Sequence, residues 1–388
     1  MAEELASNIP GINAFWEAEY ALGNPHLRFR EMPFSSYLMD SFKTMVNRLA
    51  LNPYKLYINK RALFNFARNY SKSAIEKRKN HYAAYGLAPE TYVLTITDNC
   101  NLRCRYCYSN SDQLGSHDIN AEAAHALINE MFETFGISFV TISGGETFPK
   151  VLSLAEKHPD ILFMVYTNGT RIDRNVAKQI SRLGNIVPCL SIIGPPEIHD
   201  SIRGEGSYSL LMAAVDELRD SSLIWGFSVT ESSINIDHIL SGELFKLCAT
   251  FSPYFIRLIP YVRVGRQFDS DYSVTHRDMM HLRRNFEVIK STCPFPIFDY
   301  VNDKSLGIGC MAGGIRYFNI SPTLRITPCV FMNRGHQITY NPESNKTNAI
   351  DLLVHGHEMV KARELGRSCV DCLMLNPKLD PCANEPVV

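Results

Sequence analysis

The chain has 388 residues, of which 45% are hydrophobic and 20% charged, and its 39 Lys and Arg nearly cancel its 40 Asp and Glu to a formal net charge of -1. That profile supports a large buried core and excludes disordered, collagen-like and coiled-coil chains; the length suits one large α/β barrel with additions, or two to three domains. No apolar run reaches the roughly 18 residues that cross a bilayer, and the start Met1-Ala2-Glu3-Glu4 lacks the basic and apolar regions of a secretion signal, so a cytoplasmic protein is expected.

The first 87 residues read as a helical, basic extension. Between Lys43 and Lys79 ten basic residues face one acid, Glu76, so this segment is +9 and the rest of the chain sums to -10. Met45, Leu49, Leu56, Tyr57, Leu63, Phe64 and Phe66 recur at helical intervals, and Pro53 divides the stretch into two amphipathic pieces. Such an arm can pack on a barrel with a solvated basic face, lie peripherally on an anionic membrane, or neutralise phosphates of a nucleic acid, the least favoured of the three.

From Thr91 onward, short β-rich runs alternate with helical ones. Strands are expected at Tyr92–Thr97, Ser138–Ser143, Ile161–Thr167, Ile186–Ile192, Ile224–Thr230 and Tyr254–Pro260, with helices such as Ala121–Phe135, closed by Gly136, and Ser209–Arg219. Six alternations argue an α/β fold, a partial (β/α)6 TIM-type barrel over residues 88–305, with chemistry on the loops that leave the C-terminal strand ends. The first strand runs into Asp98-Asn99-Cys100-Asn101-Leu102-Arg103-Cys104-Arg105-Tyr106-Cys107, the second into Ser143-Gly144-Gly145-Glu146, the third into Thr167-Asn168-Gly169. All three groups should face one mouth.

In a reducing compartment eleven cysteines are read for metal or catalytic work rather than disulfides. Cys189, Cys248 and Cys293 stand alone, as small core residues do. Cys100, Cys104 and Cys107 can each take one iron of a 4Fe-4S cubane and leave the fourth iron open, whereas structural zinc asks for four protein ligands. With Tyr106 before the last cysteine, the loop resembles that of the radical S-adenosylmethionine (SAM) superfamily, Cys-x3-Cys-x-aromatic-Cys.

The resemblance implies that the open iron chelates the amino and carboxylate groups of SAM's methionine moiety, with Tyr106 beside the adenine. It further implies that Ser143, Gly144, Gly145 and Glu146 receive the SAM ammonium, and that Ser191 faces the ribose. Arg203, in His199-Asp200-Ser201-Ile202-Arg203-Gly204, would pair with the SAM carboxylate through its two-pronged donor face. Thr167 and Asn168 are candidate cofactor contacts, with a plain strand-end turn as the alternative. Thr147 stands where the family commonly has Pro.

A second cysteine group lies near the end: Cys310, Cys329, Cys369, Cys372 and Cys382. Between Cys310 and Cys329 the apolar alternation around Ser321-Pro322-Thr323 predicts a hairpin. Residues 306–388 thus resemble the SPASM and twitch extensions of the superfamily. Five ligands imply one auxiliary 4Fe-4S cluster, on Cys310, Cys329 and Cys372 with Cys369 or Cys382 as fourth; zinc on the Cys-x2-Cys pair is the alternative.

By resemblance, the protein is an enzyme that takes an electron from a low-potential donor such as flavodoxin or ferredoxin. It would cleave SAM to methionine and a 5'-deoxyadenosyl radical, and abstract hydrogen from a substrate. The arm leans the substrate reading toward a small or lipid-like molecule; a maturase acting on a peptide or protein side chain is the alternative, and a non-catalytic iron-sulfur electron carrier the rival from another class. Asp299, Asn302 and Asp303 are candidate polar contacts for substrate, set against a reading as a surface turn.

Overall fold

The computed structural model describes residues 44–111, 117–266, 272–299 and 310–368. Seven parallel strands lie side by side in chain order: β1 (Val93–Thr97), β2 (Phe139–Gly144), β3 (Leu162–Thr167), β4 (Ile186–Ile192), β5 (Gly226–Glu231), β6 (Phe255–Pro260) and β7 (Ile297–Asp299). Two helices, α1 (Pro53–Asn69) and α2 (Lys72–Tyr85), precede β1. The connections carry α3 (Ala121–Phe135), α4 (Val151–Lys157), α5 (Arg174–Leu183), α6 (Pro196–Arg203), α7 (Ser207–Asp220), α8 (Ile236–Leu240), α9 (Glu243–Thr250) and α10 (His276–Thr292). Helix α3 starts where the Asn120 side chain accepts from the Ala123 N–H at 2.8 Å. It stops at Gly136, where φ is +68° and a Cβ would lie 2.6 Å from that of Ala74.

The two faces of the sheet are both apolar, as parallel strands require. One face packs Ile142, Phe163, Leu190, Phe227 and Leu258 against the connecting helices. The other buries Leu162, Met164, Val187, Cys189 and Phe255 in a second cluster. The connecting helices cover only the first face, and the sheet curls over the second, which gives the expected partial barrel. Among the described residues β7 pairs only with β6, and the barrel is open there.

The six expected strands are all present, most of them starting one or two residues later than the apolar runs. A seventh, β7, was not expected, and it corrects the reading of Asp299: this residue is 1% exposed and lies in a strand, not a surface turn. Burial, and then the neighbouring Asp299 carboxylate, push the Glu231 carboxyl well above its ordinary range. Asn302 and Asp303 lie outside the described residues.

The basic arm closes the N-terminal end of the barrel. Asn52 caps α1, with Pro53 at its first turn, as the break in the pattern predicted. Polar side chains of the arm then reach the segments entering β1 to β6. Asn69 donates to Glu90 O at 3.0 Å and accepts from Ser138 N at 2.9 Å. Asn65 donates to Pro159 O, Arg61 to Leu183 O and Arg48 to Pro253 O. Asn59 donates to Lys55 O and Ser222 O and accepts from Ile224 N at 2.8 Å. Val46, Leu49, Ala62 and Leu63 fill the space between them. Leu51, Tyr54, Tyr57 and Phe64 face outward, beside exposed Lys60 and Arg61. The described part of the arm is therefore a plug at the pole opposite the strand C-termini.

Residues 310–368 extend the same sheet from its β1 edge. Strand β8 (Asn319–Ile320) runs parallel to β1, with Asn319 beside Val93. It turns through Ser321–Leu324 into β9 (Arg325–Thr327), the expected hairpin, and β10 (His336–Gln337) follows. A separate pair, β11 (Tyr340–Asn341) and β12 (Lys346–Thr347), leads into α11 (Ala349–His355) and α12 (His357–Ser368). The Arg316 guanidinium pairs with Glu90 across the junction.

Replacing Asn59 by Ala leaves the Ile224 N–H and the Ser222 carbonyl without this partner inside the plug. The expected loss is about 1–3 kcal/mol of stability, read as a lower denaturant midpoint. An unchanged midpoint would show that this side chain does not hold the plug.

Candidate cluster and cofactor site

The loop after β1 carries Cys100, Cys104 and Cys107 as free thiols, and all three line one cavity of about 210 Å³ at the C-terminal end of the barrel. Several elements hold the loop from outside. The Arg105 N–H donates to Ile202 O at 3.0 Å, and the Arg266 N–H to Cys107 O at 2.8 Å. Gly265 comes so close to the loop exit that a Cβ there would lie 2.3 Å from the carbonyl oxygens of Cys107 and Tyr108. Burial pushes the Cys100 thiol up to about 11, and the neighbouring thiols add to the shift.

The Gly144-Gly145-Glu146 turn is built against this loop. Gly145 N–H donates to Thr97 O at 2.9 Å and Glu146 N–H to Asn99 O at 2.8 Å. A Cβ on Gly145 would sit 2.0 Å from Asn99 O, so only glycine allows the approach. The Glu146 carboxylate is 6% exposed and lies just behind the cavity wall. It accepts from Thr167 Oγ1 at 2.7 Å, Asn168 N at 2.9 Å and Phe148 N at 3.1 Å, which ties the end of β2 to the end of β3. Burial raises its pKa while those hydrogen bonds oppose the rise. Asn168 in turn directs Nδ2 to Asn101 Oδ1 at 3.1 Å and lies 3.9 Å from Cys100 Sγ.

Ser143, Gly144, Gly145, Thr167, Asn168, Ser191 and Arg203 line the same cavity as the cysteines. Tyr106 lies there too, packed edge-on against Tyr261 at 5.8 Å and Tyr272 at 5.5 Å. Arg203 ends α6, with Nη1 3.8 Å from Cys104 Sγ. Its placement follows from Asp200, whose carboxylate accepts from Gly206 N, Ser207 Oγ and Tyr208 N and so starts α7 directly after the arginine.

Of the second cysteine group, Cys310 and Cys329 are buried together with Tyr317, Ala312 and Met332. Tyr317 Oη lies 2.8 Å from Cys329 Sγ, and Cys329 opens onto the same cavity as the first three cysteines. Cys369, Cys372 and Cys382 lie outside the described residues. Cys189 and Cys248 are core thiols, as expected, and Cys293 is half-buried against the same core.

Residues 94–239 match the model of the Radical SAM superfamily. The chain carries a Radical SAM domain over those residues. Its sequence is 25% identical over 187 residues to the sporulation killing factor maturation protein SkfB of Bacillus subtilis, covering 46% of this chain and 44% of that one. It is 27% identical over 154 residues to the Fe-coproporphyrin III synthase of Methanosarcina barkeri, 38% of each chain. The chain thus spans less than half the length of these curated relatives. In fold it resembles SuiB of Streptococcus suis bound to S-adenosylmethionine, with a TM-score of 0.61 at 12% identity over 75% of this chain and 72% of that one. It also resembles anSMEcpe with bound AdoMet, at 0.55 and 20% over 72% and 81%.

The superfamily binds a 4Fe-4S cluster and SAM, and the cavity carries the three loop cysteines together with the Gly144-Gly145 turn and Arg203. A cubane places each cysteine sulfur on a different iron, so its ligands surround a volume rather than a point. Among the described residues no three His, Cys, Asp or Glu side chains gather on a single-ion site. Arg203 Nε is buried and has no hydrogen-bond partner among the described residues, as a donor reserved for a bound carboxylate would be.

Sequence reading missed Tyr108, whose hydroxyl meets Ser143 Oγ at 2.6 Å, and the Gly265-Arg266 clamp, whose only signal was a Gly five residues past β6. It also missed the cavity-lining Arg257.

Two outcomes follow from this geometry. Gly145→Ala drives a methyl group into Asn99 O, and reconstituted protein should hold fewer iron atoms per chain than the parent, with equal iron refuting the close approach. In iron-free protein, Cys100 is neutral at pH 8, because its raised pKa delays the thiolate; its alkylation by iodoacetamide, followed by peptide mass spectrometry, should climb about tenfold per pH unit toward pH 11. A plateau reached by pH 9 would contradict the burial of this thiol.

Proposed function

We propose that this chain is a radical SAM enzyme that cleaves SAM reductively and abstracts hydrogen from a substrate carbon, with Cys100, Cys104 and Cys107 as the ligands of the 4Fe-4S cluster. The observation that carries the reading is the convergence of these cysteines, Arg203, Ser191 and the two glycines on one cavity at the C-terminal strand ends. Cys100, Cys104 and Cys107 would hold the cluster, which when bound would supply the single electron for reductive cleavage of SAM to methionine and the 5'-deoxyadenosyl radical. The chain's own residues orient and shield. Arg203 takes the methionine carboxylate with its buried Nε, Tyr106 lies beside the adenine, and Ser191 meets the ribose. Glu146 holds the strand ends in place and receives the ammonium through the turn it braces. The electron comes from a low-potential donor such as flavodoxin or ferredoxin.

Cys310 and Cys329 are assigned to one auxiliary 4Fe-4S cluster, completed from Cys369, Cys372 and Cys382. Their support is the shared burial of the first two and the opening of Cys329 onto the cavity. For the substrate, the plug position of the arm removes the reason to favour a lipid. A peptide side chain, as the maturation-protein relative suggests, and a small molecule, as the synthase suggests, remain the two classes. The outward Leu51, Tyr54, Tyr57 and Phe64 beside Lys60 and Arg61 support a peripheral contact with anionic lipid, which would leave the mouth facing water. Among the described residues no helix is long and apolar enough to cross a membrane.

Anaerobic, reconstituted protein given dithionite and SAM should release 5'-deoxyadenosine, and should hold about eight iron atoms per chain if both clusters form, about four if only the first does. Absence of 5'-deoxyadenosine with an intact cluster would leave the electron-carrier reading.

A further inference from the structure

The chain just past the last loop cysteine folds back onto it. The Asn110 N–H donates to Cys107 O at 3.2 Å, and Asn110 itself takes a φ of +46°, in the left-handed region, so residues 107–111 form a tight turn. Arg266 holds this turn at three places. Its N–H donates to Cys107 O at 2.8 Å, its Nε to Asn110 Oδ1 at 3.4 Å, and its Nη2 to Ser111 O. Two hydroxyls are thereby lined up with one thiol, since Ser109 Oγ lies 3.3 Å from Cys107 Sγ and 2.7 Å from Ser111 Oγ. Both serines line the cavity with the three cysteines, and Ser111 is 2% exposed. The other two thiols meet donors of other kinds, Cys100 Sγ the Leu102 N–H at 3.5 Å and Cys104 Sγ the Arg203 Nη1 at 3.8 Å.

We propose that Ser109 and Ser111 raise the reduction potential of the cluster that Cys107 helps to hold. A thiolate on iron has no hydrogen to give, so the direction of the row is fixed: Ser109 donates to Cys107 Sγ, and Ser111 donates to Ser109 Oγ. Aligned hydroxyls polarise one another, so the pair donates more strongly than a single serine would. Hydrogen bonds to ligand sulfurs are among the levers on a cluster's potential. Reduction adds one negative charge, part of which falls on the sulfurs, and a donor therefore stabilises the reduced form more than the oxidised one. The two serines act through Cys107, as positioning residues, and ease the entry of the donor's electron. This inference rests on the proposed ligation of a 4Fe-4S cluster by the loop cysteines and deepens it.

The test is potentiometry followed by electron paramagnetic resonance on full-length, anaerobically reconstituted protein, with iron counted in parallel. The loop cluster's signal is the one that added SAM perturbs, since SAM is the ligand of the open iron. Ser109→Ala should lower the midpoint, so that the ratio of reduced to oxidised cluster at a fixed potential falls about threefold to tenfold, the scale of one lost hydrogen bond; tenfold is about 59 mV for one electron. Ser109→Thr keeps the hydroxyl and should stay near the parent. Ser111→Ala should give a smaller fall in the same direction, and it carries the test if Ser109→Ala does not assemble its cluster. A parent-like or higher midpoint in Ser109→Ala at full iron content overturns the proposal, as does a Ser109→Thr midpoint as low as that of Ser109→Ala. Loss of iron in Ser109→Ala together with an unshifted midpoint in Ser111→Ala also overturns it, and would make the serines supports of the loop alone. Failure of the radical SAM reading is visible separately, in parent protein that shows no SAM-perturbed signal and releases no 5'-deoxyadenosine, and it takes this proposal with it.

Discussion

The site depends on one close approach, the backbone of Gly144 and Gly145 lying directly against the backbone of Thr97 and Asn99. Two N–H···O bonds close the contact, and neither could form if a side chain stood between them. The contact converts a cysteine-bearing loop, which alone would sample many conformations at a cost of roughly 1–2 kcal/mol per residue to order, into an extension of the β1–β2 ladder. Glu146 carries the constraint one strand further, since its buried carboxylate gathers donors from the end of β3. Asn168, placed by that carboxylate, then approaches Cys100. A chain of backbone and carboxylate contacts thus positions the loop that carries the thiols.

Much of this was legible in sequence because it is local. The strand runs, the Asn120 and Gly136 bounds of α3 and the cysteine loop each rest on fewer than about fifteen consecutive residues, the range in which periodicity and capping speak. Strand β7 escaped because three residues carry no detectable alternation, and Asp299 read as a turn for the same reason. The role of the arm escaped because its decisive residues are asparagines. Asn59, Asn65 and Asn69 look like ordinary polar positions on an amphipathic helix, yet they face inward, where strand entries present carbonyl and N–H groups that apolar side chains could not satisfy. Helical spacing reports which residues share a face; it does not report that a polar face is the buried one. Arg257 was hidden differently, inside an apolar run that correctly predicted a strand.

The distribution of charge gains meaning from this arrangement. The +9 segment supplies the plug at one pole, while the cavity at the other carries its own two guanidiniums. The two positive regions are separated by the length of the barrel strands, roughly 17–20 Å for strands of five or six residues. That separation exceeds the screening length of about 8 Å at physiological salt, so the arm does not steer ligands to the mouth. Net charge near zero is therefore the sum of a +9 plug and a -10 remainder and says nothing about the mouth.

The relation between the two cysteine groups follows from the sheet rather than from a linker. β1 delivers Cys100, Cys104 and Cys107 from its C-terminal end, and β8 pairs with the other edge of that same strand. The hairpin leads through β9 to Thr327, whose hydroxyl donates to Cys329 O at 3.0 Å, and Cys329 then faces the shared cavity. Tyr108, one residue past Cys107, packs its ring against Phe331, two residues past Cys329, at 5.6 Å. The groups are therefore fixed to one strand by ladder hydrogen bonds on one side and by a ring contact on the other. A hinge between the barrel and the segment that carries Cys310 and Cys329 would break β1–β8 pairing, so these two cysteines stay in register with the loop of Cys100, Cys104 and Cys107.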